Sequence, residues 1–350
     1  MSKKKIISYW KSNFEKSGIK PDLIEIYMEY ITPLVNNGVP IIFDFKHLSL
    51  LLYRKPDYLA SVVNSNSNHY RNFKIPKRTG GERIITAPYP ALLECQYWIY
   101  ENILKTIKIH PTAQGFTFKK SIITNATIHL NQDQFLKIDI KDFFPSIKLN
   151  QVITVFKSLG YSNKVAFYLS AICCYNNELP QGAPTSPIIS NIISKTLDTR
   201  LFSFAKKFNL KYTRYADDLA FSGEEIPVKF LSYITKIIES CGFFVNDKKT
   251  FLQQSKGKRI LTGISIADKK IMVPREYKRK LKQEIHYINQ YGLISHVKKM
   301  KIKNPYYLLT LTGKLRFWLS VEPNNKFASE ALAKFLNKNK EIDKLKKEEN

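Results

Sequence analysis

The chain has 350 residues, 44% of them hydrophobic and 13% aromatic, enough apolar material for one large or two to three modest domains and too much for a disordered polymer. Its 56 Lys and Arg against 29 Asp and Glu leave a formal charge of +27, which points to a polyanionic partner, nucleic acid ahead of an anionic membrane. No run of about 18 apolar residues exists to cross a bilayer, and no secretory apolar core follows Met1-Ser-Lys-Lys-Lys, so no membrane partner is expected.

From Ile6 to about Asn72 the pattern is helical, with Leu23, Ile26, Tyr27 and Ile31 at helix-like spacing and a Ser/Asn-rich loop at Asn64 to Asn68. Phe73 to Thr86 predicts a β-hairpin turning at Gly80-Gly81, with Lys77, Arg78 and Arg83 near the turn. A basic hairpin can reach over a triphosphate or simply face solvent, and the residues alone leave both open. Pro90 to Ile107 is an amphipathic helix through Leu92, Gln96, Ile99 and Ile103. Phe116 to Leu130 is less regular and contains Asn125-Ala-Thr-Ile-His129, where chemistry alone favours a structural histidine.

Phe135 to Ile140 predicts a strand with Leu136, Ile138 and Ile140 on one face and Lys137 and Asp139 on the other. A helix follows, capped by Asn150 and stopped by Gly160. Leu179 to Pro187 is a turn-rich loop in which Gly182 allows unusual dihedrals or close approach. Ser186 then caps one long helix from Pro187 to about Phe208.

Tyr212 to Ser222 places two β-favouring runs around Asp217 and Asp218, predicting a hairpin with the acidic pair at its tip. Adjacent carboxylates repel unless solvent or a cation offsets them, and hard oxygen ligands suit Mg²⁺. An isolated Asp-Asp is also a common solvated turn. Further on, Val228 to Cys241 is helical with Gly242 as its stop, Phe243 to Asn246 returns as a strand, and Leu261 to Ile266 with Ile271 to Pro274 forms a short hairpin. From Arg275 the chain is helical and basic: Pro274 to Asn350 carries 18 Lys and Arg against 8 Asp and Glu, ending in a charge-rich tail from Asn337. Cys95, Cys173, Cys174 and Cys241 show neither metal-type spacing nor a disulfide framework, which fits a reduced cytoplasm.

If the strand of Asp139 neighbours the hairpin of Asp217 and Asp218, three carboxylates converge and can hold two Mg²⁺ ions for in-line displacement at phosphorus. Four segments then resemble the reverse transcriptases in order: Ile138-Asp-Ile-Lys-Asp-Phe-Phe144, Pro180-Gln-Gly-Ala-Pro-Thr-Ser-Pro187, Tyr215-Ala-Asp-Asp218 and Gly242-Phe-Phe-Val-Asn-Asp-Lys-Lys-Thr250. Asn125-Ala-Thr-Ile-His129 and Leu261-Thr-Gly263 resemble the retron branch of that family. The likeness runs from about Phe73 to Pro323.

The resemblance implies an α+β right-hand polymerase. Its parts are an N-terminal helical extension (1–72), fingers (73–138), palm with an antiparallel sheet packed on helices (139–273), helical thumb (274–323) and a basic C-terminal tail (324–350). It implies metal ligation by Asp139, Asp217 and the Ile140 carbonyl, with Asp218 completing the cluster, and Mg²⁺ or Mn²⁺ as the two ions. Phe144 falls at the steric-gate position, so deoxynucleoside triphosphates are the expected substrates. Gln181 and Gly182 would face the nucleotide, Lys77 and Arg83 would cover its phosphates with Arg78 as the substitute for Lys77, and Lys249, or Lys248, would protonate pyrophosphate. Asn125, His129, Lys314 and Arg316 are candidates for RNA recognition.

The resemblance further implies a cognate non-coding RNA as template and primer, a short RNA-linked DNA product, and an effector protein in anti-phage defence. A group II intron-type enzyme is the nearest rival, but such enzymes usually carry a further module after the thumb, where only 27 residues follow Pro323 here. A catalytically idle RNA-binding scaffold would not need the like-charge cluster, and an RNA-directed RNA polymerase is disfavoured by Phe144.

Overall fold

A computed structural model describes residues 2–348 apart from 78, 79, 255, 256, 258 and 268, with side-chain environments as far as 337 except for residue 66. Four helices open the chain: α1 (Lys3–Lys16), α2 (Pro21–Asn37), α3 (Phe45–Leu51) and α4 (Pro56–Asn64). Proline in the first turn starts α2 and α4, and the Asp44 carboxylate caps α3 by accepting from His47 N at 2.7 Å. The buried stripe of α2 is Ile24, Ile31, Leu34 and Val35. The expected stripe is thus rotated: Leu23 and Ile26 are exposed, and Tyr27 meets Phe14 and Phe43.

Strands β1 (Tyr70–Pro76) and β2 (Glu82–Pro88) pair antiparallel around Gly80 and Gly81, both with positive φ. Helix α5 (Pro90–Asn102) stops earlier than expected and passes into a 3₁₀ turn at Leu104–Thr106. Helix α6 (Ile122–Ile128) is held by the reciprocal cap of Ser121 and Thr124.

The central sheet is antiparallel and built on β3 (Gln134–Lys141). Beside it run β5 (Asp218–Gly223) and then β4 (Lys211–Tyr215); β6 (Phe244–Val245) and β7 (Phe251–Gln253) pair with its other edge. Helices α7 (Leu149–Ser158), α8 (Asn163–Cys173), α9 (Ser186–Ile193), α10 (Lys195–Lys207) and α11 (Phe230–Ser240) share one buried core with the N-terminal helices and with Leu136, Ile138 and Ile140. Lys148, not Asn150, is the N-cap of α7, where its backbone N–H donates to the Gln151 side chain. The single helix expected from Pro187 to Phe208 is two, parted at Ser194. Ser194 is the joint, with ψ −1 against the roughly −42° of an α-helix. Ser186 is the first helical residue rather than the cap, and its hydroxyl donates to Pro180 O.

A second sheet has the order β10-β9-β8, from β8 (Arg259–Leu261), β9 (Ile264–Ala267) and β10 (Lys270–Met272). Positive φ at Thr262 and Gly263 makes a turn inside what reads in sequence as one strand, so three strands replace the expected hairpin. Four helices close the chain: α12 (Arg275–Tyr291), α13 (Leu293–Lys299), α14 (Tyr307–Val321) and α15 (Lys326–Glu348). The charge-rich tail is therefore helical, and it starts by burying Ala328, Ala331 and Phe335 against Trp318 and its neighbours. This second core also takes in Ala126, Phe135 and Ala220, which joins the C-terminal helices to the central sheet. No helix among the described residues is long and apolar enough to cross a membrane.

Candidate active site

The alternation of β3 sends Leu136, Ile138 and Ile140 into the main core, at most 2% exposed, and leaves Phe135, Lys137 and Asp139 on the opposite face. Asp139 stands directly across from Asp218 on β5, and Tyr215 from Asp218 across the tight β4–β5 turn. Within that turn Ala216 takes a left-handed backbone (φ 55), a conformation that side-chain-bearing residues rarely adopt outside functional turns. Ile140 N donates to Asp217 O at 2.9 Å, tying the turn back to β3. Three carboxylates thereby meet at one end of one sheet face.

Burial, then Asp218, then Asp139 push the Asp217 carboxyl up to about 6. Asp218 is raised by burial as well, against the pull of Lys137, whose Nζ lies 2.9 Å from its Oδ1. Lys249 Nζ sits 3.0 Å from both oxygens of Asp139, and Asn246 donates to Oδ1 at 3.0 Å. Two lysines thus offset a cluster that would otherwise repel itself. Among the described residues no three acidic, His or Cys side chains close into a complete metal cage. Two hard carboxylates open to further ligands nonetheless fit Mg²⁺, which keeps waters and substrate phosphates in its shell.

Beneath the sheet, on its apolar face, Arg214 is fully buried in a two-point ion pair with Asp198, at 2.8 and 2.6 Å. Its remaining nitrogen donates to Asn191 Oδ1 at 3.0 Å and to Ala216 O at 3.4 Å, and Tyr212 OH donates to Asp198 at 2.8 Å. The catalytic-looking turn is therefore braced from below by α9 and α10.

Phe144 is half-buried, its ring 5.4 Å from Phe143 and 6.3 Å from Phe116. Gln181 O accepts from Thr86 N at 2.8 Å, and a Cβ on Gly182 would come within 2.6 Å of Thr86 O, so only glycine fits where this loop meets β2. Lys77 and Arg83 are exposed on the β1–β2 hairpin, and Arg78 lies outside the described residues. Lys249, not Lys248, is the lysine at the acidic cluster.

Asn125 and His129 do not suit RNA contact. His129 is fully buried, with Nδ1 2.7 Å from Ser222 Oγ and Nε2 2.8 Å from Thr213 Oγ1, and burial pushes its imidazole down to about 3, so it is neutral. It clips α6 onto β4 and β5 and roofs the far end of the carboxylate-bearing face. Asn125 is 1% exposed on the same short helix. Lys314 pairs with Glu284 at 3.0 Å on the inner side of α14, whereas Arg316 is exposed. Among contributors that sequence reasoning missed, Lys137 had a signal, since strand alternation already put it beside Asp139. Asn246 lay within a quoted segment without a role, and the Asp198–Arg214 pair had no local signal at all.

Residues 75–304 match the family model described as reverse transcriptase (RNA-dependent DNA polymerase), and the chain belongs to that family of RNA-directed DNA polymerases. It is 34% identical over 306 residues to the retron Ec86 reverse transcriptase of Escherichia coli, covering 84% of this chain and 96% of that one. The retron Ec83 reverse transcriptase of Escherichia coli is 32% identical over 287 residues, with 77% and 88% covered. The retron Mx162 reverse transcriptase of Myxococcus xanthus is 34% identical over 255 residues, 63% of this chain and 53% of that protein, so the chain spans about half its length. Within the family, the chain is a retron reverse transcriptase.

Proposed function

We propose that this polymerase copies part of a cognate non-coding RNA into a short single-stranded DNA that stays linked to the RNA, by two-metal phosphoryl transfer. The observation that carries the reading is the convergence of Asp139, Asp217 and Asp218 at one end of one sheet face, held by the Asp139–Asp218 pairing and the Ile140–Asp217 hydrogen bond. Enzymes of the family generally use divalent metals. Mg²⁺, or Mn²⁺ in its place, would activate the attacking hydroxyl and neutralise charge on the triphosphate. Asp139, Asp217 and the Ile140 carbonyl would be the ligands, with Asp218 beside them. Lys249 would leave Asp139 as a cation arrives and turn to the departing pyrophosphate as proton donor. Gln181 and Gly182 position the nucleotide, Lys77, Arg83 and Arg78 cover its phosphates, and the edge of Phe144 excludes a ribose 2′-hydroxyl.

Priming from the 2′-hydroxyl of a guanosine in the RNA, and service with an effector protein in anti-phage defence, complete the proposal. Lys314 and Arg316 stay with it as thumb contacts to RNA. The test is synthesis by the purified protein with its co-purified RNA, deoxynucleotides and Mg²⁺, followed by sequencing of the product. A branched RNA-linked DNA is expected, and Asp217→Asn with Asp218→Asn should abolish it while RNA binding persists. An unbranched product, or synthesis that survives both substitutions, would sink the reading.

A further inference from the structure

We propose that Phe116 is a second sugar-facing ring of the nucleotide site, acting as one unit with Phe144. The inference rests on Phe144 being the sugar filter. Phe116 is 47% exposed and adopts φ 58, a left-handed backbone that is a genuine outlier for a bulky side chain. Strain of this kind persists only where the surroundings over-determine it, and here they do. Arg214 N donates to Thr112 O at 3.0 Å, Gln114 N to Arg214 O at 2.7 Å, and Asn191 Nδ2 to Gly115 O at 2.9 Å. A Cβ on Gly115 would meet Ala216 N at 2.9 Å, so the loop lies flat on the turn that carries Asp217.

The ring held this way sits 6.3 Å from the Phe144 ring and 6.4 Å from the Tyr215 ring, bridging the filter and the acidic hairpin. A strained aromatic with half its surface open, packed on the two rings that flank the carboxylates, is placed to receive a substrate. A deoxyribose presents C–H groups to such a wall, whereas a ribose hydroxyl pressed against it loses water and gains no acceptor. Phe116 also packs against Phe144, so removing either ring widens the same space.

Phe116→Gly is the informative variant, because glycine keeps the left-handed backbone at no steric cost while deleting the ring. Single-nucleotide extension on a primed RNA template, with deoxy- and ribonucleotides compared, should show about a tenfold rise in KM for the deoxynucleotide and at least about a tenfold loss of sugar discrimination, kcat staying within about threefold. Phe144→Ala run alongside should lose discrimination too, and the double variant should lose less than the two single losses combined. Discrimination lost in Phe144→Ala but kept within about twofold in Phe116→Gly overturns the role of Phe116 and leaves the filter standing. Discrimination kept in both variants overturns the filter itself, and loss in Phe116→Gly alone rejects the paired arrangement. Should Phe116→Gly melt lower than the parent, Phe116→Leu decides: unchanged KM and discrimination there overturn the proposal, and the same losses uphold it.

Discussion

Asp217 occupies a site where burial and two neighbouring carboxylates make ionisation unfavourable, so its carboxyl titrates near 6 rather than in the ordinary carboxylate range. The folded state therefore holds this proton more tightly than the unfolded state does. The stability so gained is complete below pH about 4 and is lost as pH rises through about 6, leaving the metal-free enzyme on the order of 2–3 kcal/mol less stable at pH 8 than the group would allow if neutral. Asp217→Asn should accordingly raise the melting temperature at pH 8 in chelator, show little gain at pH 4, and still abolish polymerisation. Melts at the two pH values check this; no gain at pH 8 would mean that Lys137 and Lys249 already cancel the repulsion. The acidic residues themselves were legible in the sequence, because an adjacent Asp pair and a strict strand alternation are local patterns. The place of His129 was not, since both its ring nitrogens are taken up by Ser222 and Thr213, 93 and 84 positions away.

Among the elements, the β4–β5 hairpin depends on more than its own pairing. Arg214 joins its buried face to Asp198 on α10 and Asn191 on α9, and reaches the carbonyl of Ala216 in the turn. Removing one partner of a buried ion pair strands the other, which costs about 3–5 kcal/mol, whereas replacing both by apolar groups is often neutral. Arg214→Met should therefore destabilise the protein by about that amount in urea unfolding, and Arg214→Met with Asp198→Leu should recover most of it. A loss below about 1 kcal/mol for the single variant would show that the turn is held by its strand pairing alone. Sequence pattern located the hairpin because its β-favouring runs and acidic tip are contiguous. It missed the break at Ser194 and the turn at Thr262-Gly263, where single residues off regular backbone geometry override a favourable run. The rotated face of α2 was missed for another reason: apolar residues on adjacent arcs left two stripes equally plausible until tertiary packing chose one.

Across the whole molecule, two cores meet at the central sheet. Phe135 and Ala220 carry the second core onto the carboxylate-bearing face, so apolar contact fastens the C-terminal helices beside the site. Some of their lysines pair internally, as Lys278 does with Glu322 and Lys314 with Glu284, but with a net +27 the chain has far more cations than its own acids can pair. Binding of the template RNA should then be dominated by counterion release. If about eight phosphates of single-stranded RNA are neutralised, log affinity should fall with log salt at a slope near −6, about four thousandfold between 50 and 200 mM. Asp217→Asn with Asp218→Asn should shift the curve without changing its slope, because those residues contribute no cation to the phosphates. Arg316→Ala, on the exposed side of α14, should make the slope shallower by about 0.7 if that side chain reaches a phosphate, whereas Lys314→Ala should matter less, its ammonium being paired with Glu284. Filter binding over a salt series measures all three. A slope shallower than about −2 for the parent would mean that stacking and shape, not the basic surface, hold the RNA.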